Sequence, residues 1–347
     1  MAHSNLPADV SAGDVKAAER LGEAYKALRR DMATVIVGQE DVLDQVLLAL
    51  FCQGHCILEG VPGLAKTLMI SSIAQLLSLE FRRIQFTPDL MPADITGTEV
   101  LEEDVGTGKR VMKFIKGPIF GNLLLADELN RTPPKTQSAL LQAMQEYRVT
   151  QGGKDYALEP PFLVLGTQNP IEQEGTYQLP EAQLDRFMFK IFVDYPEYDD
   201  EVKMALATTS RRPGKLSPVL SREMILELQE VVRKVLVGDQ VARFAVSLVR
   251  ATRPKSEDVP DFVKKYVTWG AGPRACQALL LGGKGRALLD GRFHVSLDDI
   301  RYVAKPVLRH RIVASFTAEA EGVTTDAIID RLLEHSLNRM AGALRTR

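Results

Sequence analysis

Apolar positions recur at helical spacing over residues 14 to 34, where Leu21, Tyr25 and Leu28 share one face. The tripeptide Val37-Gly38-Gln39 then breaks the pattern before a second helix. A short apolar stretch, Cys56-Ile57-Leu58, ends in a Gly/Pro loop over Gly60 to Ala65, and helical spacing resumes from Lys66 to Leu77. Four further brief apolar runs, Arg83 to Phe86, Leu123 to Ala126, Phe162 to Gly166 and Phe189 to Val193, are bounded by Gly, Pro or Asn. Buried parallel strands read this way. Helical stretches separate most of them, so the pattern predicts an α/β fold with a doubly wound parallel sheet and its ligand site at the carboxyl ends of the strands.

Two segments do not suit simple crossovers. Val100 to Lys116 alternates around Gly106-Thr107-Gly108, and Tyr147 to Leu158 surrounds Gly152-Gly153, which predicts two inserted β-hairpins. After Tyr195-Pro196-Glu197 strand signals cease. Helical patterns continue from Asp199, broken near Pro213-Gly214, Pro254, Gly270 and Gly282-Gly283. The expected organisation is a helical N-terminal segment over 1–36, the α/β domain over 37–196 and a smaller all-helical lid domain over 197–347.

The sharpest chemical signal lies between the first strand and its helix. Glycines in Gly60-Val61-Pro62-Gly63-Leu64-Ala65-Lys66-Thr67 let backbone N–H groups turn inward around phosphates, at a helix N-terminus whose dipole favours anions. Lys66 would reach the β- and γ-phosphates, the Thr67 hydroxyl would ligate Mg²⁺, and Leu68 completes the expected nucleotide-binding set. Ala65 departs from G-x-x-x-x-G-K-[ST], and is acceptable if its φ stays negative. Downstream, the run Leu123-Leu124-Leu125-Ala126 ends in Asp127-Glu128. Beside the loop strand, Asp127 would lie near the metal, and Glu128 would polarise a water for attack on the γ-phosphate. Arg274 carries an independent argument, since Pro273 suits a first helical turn and a cation there calls for a neighbouring anion, such as a nucleotide phosphate.

Composition narrows the setting. The chain has 347 residues, 45% hydrophobic and 25% charged, as ordinary globular proteins do. The longest apolar runs, such as Val46 to Phe51, are far short of a membrane span, and Met1 to Gly13 lacks a signal-peptide core, so a cytoplasmic protein without membrane insertion is expected. Five scattered histidines and three cysteines, read as buried thiols, offer no metal-ligand spacing. Net charge is −2, which makes a nucleic-acid partner unexpected. The balance is uneven: 18 Lys+Arg stand against 26 Asp+Glu up to residue 196, and 25 against 19 beyond it, as head-to-tail contacts between copies would suit.

The loop Gly60 to Thr67, Ile84-Gln85-Phe86-Thr87-Pro88-Asp89-Leu90, Asp127-Glu128-Leu129-Asn130-Arg131, Gly166-Thr167-Gln168-Asn169-Pro170 and Leu184-Asp185-Arg186-Phe187 occur in this order. Together they resemble the MoxR family of AAA+ ATPases. The similarity runs from about Val37 through the helical half, including Trp269-Gly270-Ala271-Gly272-Pro273-Arg274-Ala275 and Val307-Leu308-Arg309-His310-Arg311. It implies that Asn169 is the sensor orienting the attacking water and that Arg186 is an arginine finger projected into a neighbouring subunit, with Arg131 as runner-up. It further implies that Arg274 is the second sensor on the lid and that Val37, Gly38 and Gln39 contact adenine. The cofactors would be ATP and Mg²⁺. The assembly would be a homo-oligomeric ring, a hexamer by family expectation, remodelling client proteins with a von Willebrand A-domain partner, and the hairpins would face the pore or the substrate.

Other readings differ in what they require. A DNA-associated motor needs basic pore loops, whereas the 147–158 segment has only Arg148 and Lys154 as cations, with Asp155 beside the latter. A monomeric P-loop kinase needs an acceptor pocket and no finger. A nucleotide switch without turnover has no use for Glu128.

Overall fold

Strands form where apolar residues can be covered on both faces, and Leu123, Leu124, Leu125 and Ala126 are each fully buried. The structure, a computed structural model, describes residues 11–103, 110–171, 175–210, 216–256 and 259–345. In chain order its first nine strands are β1 (Cys56–Glu59), β2 (Phe81–Gln85), β3 (Gly97–Glu103), β4 (Arg110–Lys116), β5 (Leu123–Asp127), β6 (Arg148–Gln151), β7 (Lys154–Ala157), β8 (Leu163–Gln168) and β9 (Phe189–Phe192). Five of them make one sheet in the order β2-β5-β8-β1-β9. The pairings of β2 with β5, β5 with β8 and β8 with β1 are all parallel.

This order corrects one expectation. The acid-bearing strand β5 does not lie beside the loop-bearing strand β1, because β8 runs between them. The Asp127-Glu128 pair therefore faces the loop across the end of β8.

Both inserted hairpins are present. β3 pairs antiparallel with β4 from Gly97↔Lys116 to Glu103↔Arg110, and the predicted turn at Gly106-Thr107-Gly108 lies outside the described residues. β6 and β7 close on Gly152 and Gly153, at φ 57° and 74°, the paired left-handed conformations of a two-residue hairpin turn.

The described residues divide into two compact units. One holds residues 26–186 and 191–226; the other holds 11–25, 187–190 and 227–345. These divisions do not follow the expected breaks at 36/37 and 196/197. Residues 216–226 go with the sheet because Val219 and Leu220 both donate their N–H to the Leu76 carbonyl, and Arg222 bonds to Pro160 O and Glu159.

The second unit is helical apart from a two-stranded ribbon, β10 (Val267–Trp269) with β11 (Val313–Ala314). The helix Pro273–Leu289 runs unbroken through Gly282-Gly283, where the sequence suggested an interruption. These glycines mark close approach: a Cβ on Gly283 would lie 2.9 Å from both Ile300 Cδ1 and Val295 Cγ1. Cys52 and Cys56 are buried as expected, whereas Cys276 is half-buried and its thiol pKa is raised by burial. Among the described residues no helix is long and apolar enough to cross a membrane.

Candidate nucleotide site

The carboxyl ends of β1, β5 and β8 open into a cavity of about 540 Å³, bounded by Gly60, Pro62 to Leu68, Arg83, Asp127, Glu128 and Thr167 to Asn169. The loop leaves β1 at Gly60, where a Cβ would come within 2.2 Å of the Val193 carbonyl oxygen, so only glycine fits. Gly63 follows at φ +89°. The helix Lys66–Leu76 then begins, its first N–H groups directed at the cavity end of the sheet.

Ala65 sits at φ 52°, ψ 22°, contrary to the negative φ expected of it. The entry to the helix needs a left-handed residue, the service that glycine renders in the consensus, and the methyl group adds a steric cost of roughly 1 kcal/mol. Lys66 folds back over the loop, its Nζ donating to Gly60 O at 2.5 Å and Val61 O at 3.0 Å. Half-burial lowers its pKa from the ordinary lysine value, against the opposing pull of Asp127 and Glu128.

The two acids are held by neighbouring strands. Asp127 Oδ1 accepts from Thr167 Oγ1 at 2.6 Å, and its Oδ2 accepts from Arg83 Nη2 at 2.6 Å and Nε at 3.1 Å. Glu128 takes a left-handed conformation, φ 56°, ψ 47°, pinned by its N–H donating to Thr167 Oγ1 at 2.8 Å. Its Oε2 accepts from Gln85 Nε2 at 2.7 Å and from Arg131 Nη1 at 2.8 Å. Left-handed backbone at a non-glycine residue recurs at functional sites, because surrounding bonds must maintain it.

Arg83, Gln85 and Thr167 were given no individual role from the sequence. Their signal was the register: Gln85 stands opposite Asp127 in the β2–β5 pairing, and Arg83 lies two residues earlier on the same face.

Asn169 lines the cavity, its Oδ1 accepting from the Ile171 N–H at 3.1 Å. Val61 does not line the cavity; it contributes its carbonyl to Lys66. Val37, Gly38 and Gln39 lie outside the lining as well. Gly38, at φ +74°, would set a Cβ 2.9 Å from Pro196 Cβ, and Gln39 Nε2 donates to Asp194 O at 2.8 Å. Arg186 follows the short helix Glu181–Leu184, half-buried, with its N–H donating to Gln183 O. Arg274 opens the helix Pro273–Leu289 in the other unit.

A family model for the ATPase family associated with various cellular activities (AAA) matches residues 55–189, and one for the AAA lid domain matches residues 261–332. Chaperone MoxR1 of Mycobacterium tuberculosis is 40% identical over 320 residues, 91% of this chain and 84% of its own length. The chain belongs to the MoxR family of AAA+ ATPases. YeaC of Bacillus subtilis, a protein carrying no assigned role in its name, is 40% identical over 314 residues, 90% of this chain and 93% of its own length. A crystal structure of a candidate ATPase from Cytophaga hutchinsonii has a TM-score of 0.85 at 40% identity, over 92% of this chain and 96% of that one. As a MoxR-family member the chain is a nucleotide-binding ATPase, and Lys66, Thr67, Asp127 and Glu128 all line the cavity at the ends of β1, β5 and β8.

Proposed function

We propose that this MoxR-family protein hydrolyses ATP, bound with Mg²⁺, to ADP and phosphate, and that the cycle drives chaperone-like remodelling or maturation of partner proteins by a cytoplasmic homo-oligomeric ring. The single observation that carries this reading is the convergence of Lys66, Thr67, Asp127, Glu128 and Asn169 on one cavity. The residues fit the expected cofactors. Backbone donors at the head of the helix Lys66–Leu76 suit phosphate oxygens, and the Asp127 carboxylate and Thr67 hydroxyl are hard oxygen ligands of the kind Mg²⁺ selects. Bound Mg²⁺ would neutralise charge on the phosphates.

Within that frame each side chain has a role. Lys66 exchanges its loop carbonyls for phosphate oxygens. Glu128 takes up the proton of the attacking water, and Gln85 and Arg131 set its orientation beforehand. Asn169 has its Oδ1 engaged by Ile171, so its amide N–H₂ is the group it offers to the water. Val37, Gly38 and Gln39 contact adenine, and Arg274 reads the phosphates from the lid. Arg186 is favoured as the finger, because Arg131 is engaged with Glu128 in its own chain. Clients are proteins, with a von Willebrand A-domain protein as adaptor and a hexamer as the ring. DNA is disfavoured as the client because Arg148, a cation of the β6–β7 hairpin, is paired with Glu146 and Asp155.

The test separates binding from turnover. Glu128→Gln should keep nucleotide affinity within a fewfold while kcat falls on the order of a hundredfold or more. Lys66→Ala should lose binding itself. A Glu128→Gln protein that hydrolyses ATP at the wild-type rate would contradict the assignment of the general base.

A further inference from the structure

The motif Val307-Leu308-Arg309-His310-Arg311 has no place in the nucleotide cavity, yet three successive basic side chains leave the helix Leu297–Leu308 together. Their donors converge on main-chain carbonyls of one short segment. His310 Nε2 donates to Phe187 O at 2.9 Å, Arg311 Nη2 donates to the same oxygen at 2.7 Å, and Arg311 Nη1 donates to Met188 O at 3.1 Å and Val307 O at 2.5 Å. Arg309 Nη1 reaches Lys190 O at 3.2 Å, while its Nε and Nη2 grip the two oxygens of Asp326 at 2.7 and 2.8 Å. The segment so held, Phe187 to Lys190, begins one residue after Arg186.

Burying a guanidinium is costly unless its donors are satisfied, and Arg311 is only 7% exposed. A rigid fork that takes two successive carbonyls fixes the orientation of the peptide between them, which a flexible ammonium does not. His310 is equally buried. Burial and the adjacent Arg311 push its pKa well below the ordinary histidine value, so it stays a neutral, single N–H donor. Its Nδ1 is buried without a hydrogen-bond partner among the described residues. On the other side of Arg186 stands the four-residue helix Glu181–Leu184.

We propose that His310 and Arg311 are positioning residues for the arginine finger, fixing the carbonyls of Phe187 and Met188 and thereby the direction in which Arg186 leaves the chain. The helical unit is thus tied to catalysis in the next subunit. This rests on the reading of Arg186 as a finger acting across subunits.

Subunit mixing tests it. A Glu128→Gln chain keeps its finger and loses its base, and an Arg186→Ala chain does the reverse, so an equal mixture regains activity if the finger works in trans. His310→Leu and Arg311→Gln should each lower kcat on the order of tenfold to a hundredfold with nucleotide affinity near wild type, and His310→Leu should also keep its thermal midpoint near wild type. Each should regain activity when mixed with Glu128→Gln. His310→Gln, whose amide can still donate to Phe187 O, should retain wild-type kcat, and this pair of His310 variants decides the matter if Arg311→Gln does not fold. Folded His310→Leu chains that stay inactive in the mixture, while Arg186→Ala recovers, would overturn the inference. Failure of Arg186→Ala itself to recover would overturn the finger reading, and this inference with it.

Discussion

At Ala65 a methyl group occupies a left-handed backbone that glycine would hold without strain. Ala65→Gly should therefore stabilise the protein by about 1 kcal/mol, the reverse of the usual sign for alanine-to-glycine changes inside a helix, as measured by urea denaturation. His55 offers a second residue-scale test. Its Nε2 donates to Met144 O at 3.2 Å and its Nδ1 accepts the Val164 N–H at 3.0 Å, so only the neutral ring satisfies both neighbours. Burial depresses its pKa to about 4, whereas the unfolded chain binds that proton near 6.5. The stabilisation is fully present above the unfolded pKa and is lost as pH falls from there toward the folded value. Wild type should lose about 2 kcal/mol more than His55→Gln between pH 7 and pH 5. Equal losses would exclude His55 as the acid-sensitive group.

The same scale explains what could be read in advance. Lys66, Thr67, Asp127 and Glu128 announce themselves because a loop and a strand end each carry their chemistry within a few consecutive residues. Arg83, Gln85 and Thr167 do not, since their meaning depends on which strands become neighbours, and β8 lies where the sequence reading placed β5. The positive φ of Ala65 was hidden because alanine is common in both helical and loop backbone.

Among elements, the two hairpins form one β-structured outgrowth of the α/β unit. Phe114 on β4 stacks on Tyr156 on β7 with ring centroids 4.2 Å apart, and Gly152 at the β6–β7 turn abuts the Glu99 carboxylate on β3. Phe114→Ala should loosen this pairing by about 1 kcal/mol and raise amide exchange in both hairpins, leaving exchange in β1, β5 and β8 unchanged. Exchange that rises in the first hairpin alone would show them to be independent. The glycine pair in Pro273–Leu289 teaches the limit of pattern reading at this scale: Gly282 and Gly283 look like a break, yet they admit Ile300, Val295 and Val303 against the helix. Sequence spacing cannot distinguish a glycine that ends a helix from one that lets another element approach it.

For the whole molecule, the α/β and helical units were legible from the loss of strand signals after residue 197, while their division was not. Residues 216–226 side with the sheet through main-chain bonds to Leu76, and 187–190 side with the helical unit through the Arg309 to Arg311 carbonyl clamp. Long-range bonds of that kind leave no local trace in composition. In the proposed ring one chain's cavity is completed by its neighbour's Arg186. The most direct measurement is steady-state ATPase activity across a protein concentration series, for wild type and Arg186→Ala, with sizing in ATP alongside. Specific activity that rises with assembly, together with an Arg186→Ala protein that still assembles but loses turnover on the order of a hundredfold or more, is the predicted result. Activity independent of concentration that survives Arg186→Ala would contradict it and identify an enzyme complete within one chain.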